Sequence, residues 1–204
     1  MITIIDYGVG NIFAFQNVYK RLNIATKIAR TVSDLRDANK LILPGVGAFD
    51  YAMTRLNESG MRERLDELVL ENGIPVIGIC VGMQMMANSS DEGTLPGLKW
   101  IDATVKKFDE SKILHATKLP HMGWNDVTPV KENQLFKGLE KNAIFYFLHS
   151  YYFLNKDEEN SIAKSDYGIN FTSSVNFKNI FGIQFHPEKS HHYGETLLNN
   201  FANI

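Results

Sequence analysis

The sequence contains one cysteine, and the residues around it favour nucleophilic chemistry. Cys80 lies in the segment Gly78-Ile79-Cys80-Val81-Gly82, between an apolar run that predicts a buried strand and a segment that predicts a helix. A tight strand-to-helix turn crowds the backbone, and flanking glycines relieve the crowding, as in the Gly-x-Ser-x-Gly turn of hydrolases. The start of a helix also favours a thiolate over a thiol. The alternative is an unreactive buried cysteine, a common role for this residue.

A thiolate that cleaves an amide needs a histidine to move protons, and the sequence has six histidines. His186 is the best candidate because residues 180–186 predict a strand that runs straight into His186-Pro187-Glu188. In an extended segment positions 186 and 188 project to the same side, so the Glu188 carboxylate can orient the imidazole. The proline between them restricts φ and stiffens the pair. The alternative is a surface turn without a chemical role.

Two glycine motifs follow predicted strands. Pro44-Gly45-Val46-Gly47 offers backbone amides that side chains do not shield, which suits an oxyanion hole, although an ordinary glycine turn has the same composition. Gly8-Val9-Gly10 matches the start of a dinucleotide-binding motif, but Phe13 occupies the place of the third glycine. We therefore expect no dinucleotide and no other cofactor.

A zinc site would need several nitrogen or oxygen ligands, and His186, Glu188, His191 and His192 are close in sequence. Their spacing is not that of a helical His-x-x-x-His pair, and adjacent histidines on an extended segment point in opposite directions. The expectation is that the protein has no metal site.

The elements that must position these residues alternate between strands and helices in the first half of the chain. The apolar runs predict strands at residues 2–5, 25–29, 41–43 and 74–79, with helices at 12–22, 60–72 and from 82 to 87. After about residue 95, predicted strands follow one another at 101–108, 143–148, 161–163, 171–177 and 180–186, and a last helix covers 193–201. This order predicts an α/β fold with a parallel sheet, a mixed, strand-rich C-terminal half, and a single domain over residues 1–204.

Composition narrows the class of protein further. The 204 residues carry a formal net charge of −2 with no long run of like charge, so nucleic acid or membrane partners are not expected. One cysteine cannot form a disulfide within the chain or a cysteine-rich zinc site. No basic leader and no apolar run of membrane-spanning length occur, which predicts a cytoplasmic protein.

Several segments together resemble the class I glutamine amidotransferases, which have a flavodoxin-like fold. Within that class they resemble the glutaminase subunits of imidazole glycerol phosphate synthases over nearly the whole chain. The segments are residues 4–11, 43–49, 78–84, 120–125, 146–151 and 182–190. The resemblance implies that L-glutamine is hydrolysed through a cysteinyl thioester. The ammonia would pass to a synthase/cyclase subunit that acts in histidine biosynthesis.

The resemblance also implies a role for individual residues. Cys80, His186 and Glu188 would form the catalytic triad, and the amides of Gly47 and Val81 would form the oxyanion hole. The remaining implied residues are substrate-binding Gln84, Ser150 and Tyr151, and partner-facing Asn11, Trp124, Tyr146 and Lys189.

One segment departs from the histidine-pathway pattern. His191-His192-Tyr193-Gly194 replaces the usual small residues and resembles a paralogous branch that supplies ammonia for amidino sugars of surface polysaccharides. Imidazole glycerol phosphate synthesis is the first hypothesis and the amidino-sugar pathway is the second. A free-standing cysteine hydrolase and a catalytically silent partner-binding scaffold are the remaining alternatives.

Overall fold

The computed structural model describes residues 1–204, and the first half of the chain builds a parallel sheet. Strands β1 (Ile2–Ile5), β2 (Thr26–Ala29), β3 (Leu41–Gly45) and β4 (Val76–Cys80) lie in the order β2-β1-β3-β4. This order is typical of flavodoxin-like folds, in which ligands bind beyond the carboxyl ends of the strands. Every residue of β1, β3 and β4 is buried, as expected for a parallel sheet that is covered on both faces.

Five α-helices pack around the strands. They are α1 (Ile12–Arg21), α2 (Phe49–Glu58), α3 (Arg62–Asp66), α4 (Val81–Met85) and α5 (His191–Asn203). A π-helical turn at Glu67–Glu71 continues α3. The buried residues recur at helical spacing, so each longer helix presents one apolar face to the core. In α5 these residues are Gly194, Leu197, Leu198 and Phe201.

The second half of the chain extends the sheet with antiparallel strands. The strands are β5 (Ser89–Ser90), β6 (Ala103–Lys107), β7 (His121–Asp126), β8 (Thr128–Pro129), β9 (Ile144–His149), β10 (Tyr151–Asn155), β11 (Ser161–Asp166), β12 (Asn170–Phe177) and β13 (Ile180–Ile183). β13 pairs in parallel with β4, and β12, β10 and β6 follow in antiparallel pairs, which confirms the predicted mixed C-terminal half. β7 and β9 form a separate antiparallel pair.

One cluster of buried apolar residues includes members from both halves, from Ile2 to Phe201. The pairing of β4 with β13 joins the halves at the centre of the sheet, and it ends at Ile79 and Ile183, one residue before Cys80 and three residues before His186. No helix is both long enough and apolar enough to cross a membrane.

The structure contains elements that the hydrophobic pattern does not predict. Helix α2 begins after Ala48, which has no side chain able to cap it, so the usual start signal is missing. Strand β7 alternates in burial, but its inward positions are His121, Gly123 and Asn125 rather than apolar residues. Both elements therefore lack the sequence feature on which their prediction depends.

Candidate active site

Cys80 lies on a strained turn at the centre of the sheet. It is the last residue of β4 and directly precedes α4, with φ 55° and ψ −114°. A non-glycine residue with positive φ is strained and persists only where the surrounding structure holds it. A Cβ on Gly82 would overlap the Leu43 carbonyl oxygen, and one on Gly78 would lie 2.6 Å from the Gly82 oxygen. The predicted strand-to-helix turn is present, and both flanking glycines are required by close backbone approach.

The Cys80 sulfur is shielded from solvent but has polar neighbours. The residue is 4% exposed, and its Sγ lies 3.9 Å from the Leu148 carbonyl oxygen. On another side, Gln184 Nε2 approaches Sγ at 3.8 Å. The environment therefore differs from that of an unreactive cysteine packed only against aliphatic side chains.

His186 and Glu188 form a buried pair. The distance from His186 Nδ1 to Glu188 Oε1 is 2.9 Å, and the side chains are 5% and 3% exposed. The expectation that this segment is extended is wrong, because Pro187–Lys189 form a 3₁₀ turn and β13 ends at Ile183. The turn, rather than strand alternation, brings the carboxylate back to the imidazole.

The backbone of His186 is held on both sides. Its N–H donates to the Tyr146 carbonyl at 2.8 Å, which ties it to β9. Ser190 Oγ donates to the His186 carbonyl at 2.6 Å and accepts from the Tyr146 N–H at 3.0 Å. Gly194 permits α5 to pack directly on this turn, because a Cβ there would overlap the Pro187 carbonyl oxygen.

The surroundings of His186 favour its protonated form. Burial is the largest single influence and lowers the pKa of His186, but Cys80 and Glu188 together outweigh it and raise that pKa from 6.5 to about 10. Both groups act through side-chain hydrogen bonds and through negative charge. Because Nδ1 is bonded to Glu188, the ring nitrogen left for Cys80 is Nε2. The arrangement can hold an imidazolium beside a thiolate, which is the pair needed to cleave an amide.

The two residues predicted for an oxyanion hole flank the Cys80 turn. Val81 is the first residue of α4, where backbone N–H groups lack helical acceptors. Gly45 pairs with Cys80 in the β3–β4 ladder, so the loop that follows β3 leaves the sheet beside the nucleophile. Gly47 lies in this exposed loop with φ +82°, a conformation that glycine adopts without strain.

The residues predicted to bind glutamine lie next to Cys80 in the fold. Gln84 is buried on α4, and its Nε2 donates to the Tyr151 carbonyl at 3.2 Å and to Gln184 Oε1 at 3.0 Å. Ser150 joins β9 to β10, Tyr151 is the first residue of β10, and both residues are half-buried. The Gln84 Nε2 group is therefore engaged by protein, whereas its Oε1 has no protein donor and remains available to a ligand.

Two polar features beside the site were not singled out from the sequence. Gln184 is fully buried between Gln84 and Cys80. His149 is buried as well, with Nδ1 2.7 Å from the Tyr151 carbonyl and Nε2 2.9 Å from His121 Nδ1. A signal existed for Gln184, since it is the one polar residue in the apolar run 180–185 and lies two positions before His186.

The predicted partner-facing residues lie on one side of the His186 turn. Trp124 is 44% exposed, packs edge-on against Tyr146 and stacks on His191 at 5.3 Å. Lys189 Nζ lies 5.5 Å from the centre of the Tyr146 ring. Asn11 is exposed at the start of α1, a helix that packs against the same turn.

The zinc hypothesis finds no support in the geometry. No group of three or more His, Cys, Asp or Glu side chains is arranged to hold a metal ion. His191 and His192 begin α5 and are both exposed, whereas His186 is buried and paired with Glu188.

Comparison with known proteins defines the class. The family model described as "Glutamine amidotransferase class-I" matches residues 3–204. The chain belongs to the class I glutamine amidotransferase family, which confirms the predicted resemblance.

Among its relatives are proteins named "Imidazole glycerol phosphate synthase subunit HisH". The relative from Bdellovibrio bacteriovorus is 58% identical and the one from Leptospira interrogans 53% identical, each over 100% of both chains. "Imidazole glycerol phosphate synthase subunit HisH 2" from Pseudomonas aeruginosa is 45% identical, also over 100% of both chains.

Solved structures show the same fold at lower identity. A crystal structure of a glutamine amidotransferase has a TM-score of 0.77 at 20% identity, covering 99% of this chain and 97% of that one. The structure of PurLQS from Thermotoga maritima has a TM-score of 0.72 at 15% identity with the same coverage. These structures confirm the predicted α/β fold.

Proposed function

We propose that the chain is the glutaminase subunit of a two-protein imidazole glycerol phosphate synthase in histidine biosynthesis. It hydrolyses L-glutamine to glutamate and ammonia. A synthase/cyclase partner uses the ammonia to make imidazole glycerol phosphate and the aminoimidazole carboxamide ribonucleotide. The observation that carries this proposal is the single cysteine on a strained turn beside the buried His186–Glu188 pair. The high full-length identity to subunits of that name supports the pathway.

In the proposed mechanism Cys80, His186 and Glu188 form the triad. The Cys80 thiolate attacks the side-chain amide carbon of glutamine, and a tetrahedral intermediate forms. Protonated His186 gives its proton to the departing nitrogen, so the C–N bond breaks and leaves ammonia and a glutamyl thioester. Neutral His186 then takes a proton from water, which attacks the thioester, releases glutamate and regenerates the thiolate. Glu188 holds the imidazole and stabilises its charge throughout.

The negative oxygen of both tetrahedral intermediates needs donors fixed beside Cys80. We assign this role to the Val81 amide, at the start of α4, and to the Gly47 amide in the loop after β3. For substrate binding, Gln84 Oε1 is the free acceptor that can receive the α-ammonium group of glutamine. Ser150 and Tyr151, in the adjoining segment, contact the same end of the substrate.

The surface beside the site fits a protein partner. Exposed apolar side chains lie on α1, on the loop after β3 and on the β7–β9 pair, and polar residues lie among them. They are Phe13, Val46, Met122, Trp124 and Leu148. An apolar patch of this kind typically marks an interaction surface. Asn11, Trp124, Tyr146 and Lys189 would contact the synthase/cyclase subunit, so that ammonia reaches it without exposure to bulk water.

The amidino-sugar pathway and the silent scaffold have less support than imidazole glycerol phosphate synthesis. His191 of the divergent segment stacks on Trp124, so that segment belongs to the surface proposed to face the partner. The names of the relatives nevertheless favour imidazole glycerol phosphate synthesis over the amidino-sugar pathway. The buried triad geometry argues against a silent scaffold. Residues 1–204 would act as one glutaminase domain, since both halves share one core. A cytoplasmic location is proposed because the relatives are named as subunits of a biosynthetic enzyme.

The decisive experiment uses Cys80→Ala in complex with the synthase/cyclase subunit. We expect glutamate release to fall to background, while product formation from added ammonium salts stays at the wild-type rate. The ammonium reaction is the internal control, because it requires an active synthase/cyclase subunit but no glutaminase, and co-elution of the variant with the partner in size-exclusion chromatography checks folding and assembly. Retention of glutamine hydrolysis by the assembled variant would refute the proposed nucleophile.

A further inference from the structure

Gln184 is a buried polar residue that the triad leaves without a role. It is fully inaccessible to solvent, and it follows β13 directly, two residues before His186. Its backbone N–H donates to the Ser173 carbonyl at 2.9 Å, which fixes the main chain. Its side chain reaches between α4 and the sheet, with Oε1 facing Gln84 and Nε2 facing the Cys80 sulfur. A buried amide needs partners for its polar atoms, and these are the partners it has.

The orientation of the Gln184 amide follows from its neighbours. The Tyr151 carbonyl oxygen can only accept, so the Gln84 atom 3.2 Å from it is the nitrogen. That same nitrogen lies 3.0 Å from Gln184, so the Gln184 atom facing it is the oxygen. The other end of the Gln184 amide is therefore the NH₂ group, and it points at Cys80 Sγ from 3.8 Å.

The Tyr151 carbonyl, which begins this series of hydrogen bonds, is itself fixed by a hydrogen bond from a histidine. His149 Nδ1 donates to it at 2.7 Å, so His149 Nε2 is an acceptor and receives the Nδ1–H of His121 at 2.9 Å. His121 Nε2 then accepts from Asn125 Nδ2 at 3.2 Å. Two buried neutral imidazoles thus fix the carbonyl that orients Gln84, which in turn orients Gln184.

We propose that Gln184 is a hydrogen-bond donor to the Cys80 thiolate, kept in the donating orientation by Gln84. This role deepens the proposed function and rests on Cys80 being its nucleophile. A donor to an ionised group stabilises it more than a donor to a neutral one. The N–H therefore stabilises the thiolate before attack on the amide and again when the thioester C–S bond breaks. His186 supplies the proton, and Gln184 supplies a fixed dipole on another side of the sulfur.

The test compares Gln184→Met, which keeps the size of the side chain but has no donor, with Gln184→Glu, which presents only acceptors when ionised. Ser173→Ala is the matched control, since Ser173 is equally buried and its hydroxyl has no partner. The readout is the ultraviolet absorbance of the thiolate against pH, measured on the full chain by difference from Cys80→Ala. Alkylation by iodoacetamide provides a second readout, which is unambiguous because the chain has one cysteine.

We expect the midpoint of the thiolate titration to move upward by about one pH unit in Gln184→Met, and further in Gln184→Glu, with Ser173→Ala unchanged. At pH values below both midpoints, alkylation should then be about tenfold slower in Gln184→Met, because one pH unit is there a tenfold change in thiolate population. At alkaline pH, where every thiol is ionised, the alkylation rates should converge. A merely structural defect would lower the rate at every pH.

Wild-type midpoints in folded Gln184→Met and Gln184→Glu would overturn the proposal, as would an equal shift in Ser173→Ala. If one Gln184 variant fails to fold, as judged by circular dichroism, the other decides. Failure of this inference is distinguishable from failure of the proposed function. In the first case Cys80→Ala still abolishes glutamine hydrolysis, and in the second it does not.

Discussion

The protein contains two buried histidine sites, one at His186 and one at the His121–His149 pair. The first favours the protonated imidazole and the second favours the neutral one. His186 has the Cys80 thiolate and the Glu188 carboxylate beside its ring, which together raise its pKa to about 10 despite burial. For His149, burial first and then the charges of His121 and His186 lower the pKa to about 3, although the Tyr151 carbonyl opposes this. Burial and His115 lower the pKa of His121 to about 4.

The comparison shows that burial alone does not set the state of a histidine. A carboxylate accepts a hydrogen bond and carries a negative charge, so it favours the imidazolium. In the His121–His149 pair each ring must accept with its Nε2 atom. Protonation of His149 would break the hydrogen bond between the rings, and protonation of His121 would break the hydrogen bond from Asn125. The first arrangement suits proton transfer, and the second suits a fixed structural support for the Tyr151 carbonyl.

The largest expected effect distinguishes His186 from an exposed histidine. His186→Ala should lower glutaminase kcat/KM by about a thousandfold, because proton transfer to the departing ammonia and from water is lost. His192→Ala is the control and should retain wild-type activity, since His192 is exposed at the start of α5. Both are measured by glutamate release in the presence of the partner. Equal activity of the two variants would remove His186 from the mechanism.

Glu188→Gln tests what the carboxylate charge contributes. The amide can still accept from His186 Nδ1, but it no longer stabilises the imidazolium, so the pKa of His186 should fall. We expect roughly a hundredfold loss of kcat/KM. The alkaline limb of the pH–activity profile should move to lower pH. An alkaline limb that stays in place would show that Glu188 acts by geometry alone.

The His149→Leu variant tests how much the neutral His121–His149 pair contributes to the free energy of unfolding. The Tyr151 carbonyl and the His121 Nδ1–H each lose a buried partner, which should cost about 2 kcal/mol in the free energy of unfolding measured with urea. The double variant His121→Phe/His149→Leu should cost less than the sum of the two single variants, because it removes both imidazoles and leaves neither without its histidine partner. Strict additivity would mean that the hydrogen bond between the rings contributes nothing.

The effect that is smallest near neutral pH, and that grows only as the pH falls, is the acid dependence of stability. His121 and His149 have folded-state pKa values of about 4 and 3, below the ordinary histidine value of 6.5. Below about pH 6.5 the unfolded chain therefore binds more protons than the folded one. Their contribution is present above pH 6.5 and is lost as the pH falls toward 3, at about 1 kcal/mol for each histidine over the first pH unit.

The His121→Phe/His149→Leu variant provides the control for this acid dependence. Its stability, measured by urea unfolding at each pH, should vary less between pH 6.5 and 4 than that of the wild type. His186 contributes in the opposite sense, since its raised pKa adds stability below pH 6.5 that is lost as the pH rises toward 10. An acid slope that is unchanged in the double variant would contradict the assignment of neutral rings.

Prediction from sequence succeeded where a local pattern carried the information. The parallel half follows from apolar runs separated by helices, and the Cys80 turn follows from Gly78 and Gly82, which relieve backbone contact within that segment. It failed where the information is not local. Strand β7 turns His121 and Asn125 inward rather than apolar residues, and the His186 segment folds into a 3₁₀ turn that Tyr146 and Ser190 hold.

The sequence by itself determined the class of fold, the single cysteine proposed as the nucleophile and the tripeptide proposed to supply its histidine, because these depend on residue types and short spacings. Only the tertiary structure decided which atoms surround them. Pairing of β4 with β13 places residues a hundred positions apart beside one sulfur, and Gln184, Gln84 and His149 become a connected set only then. The physical reason is that hydrogen-bond direction and charge state depend on neighbours in space, and strand pairing rather than sequence distance selects those neighbours.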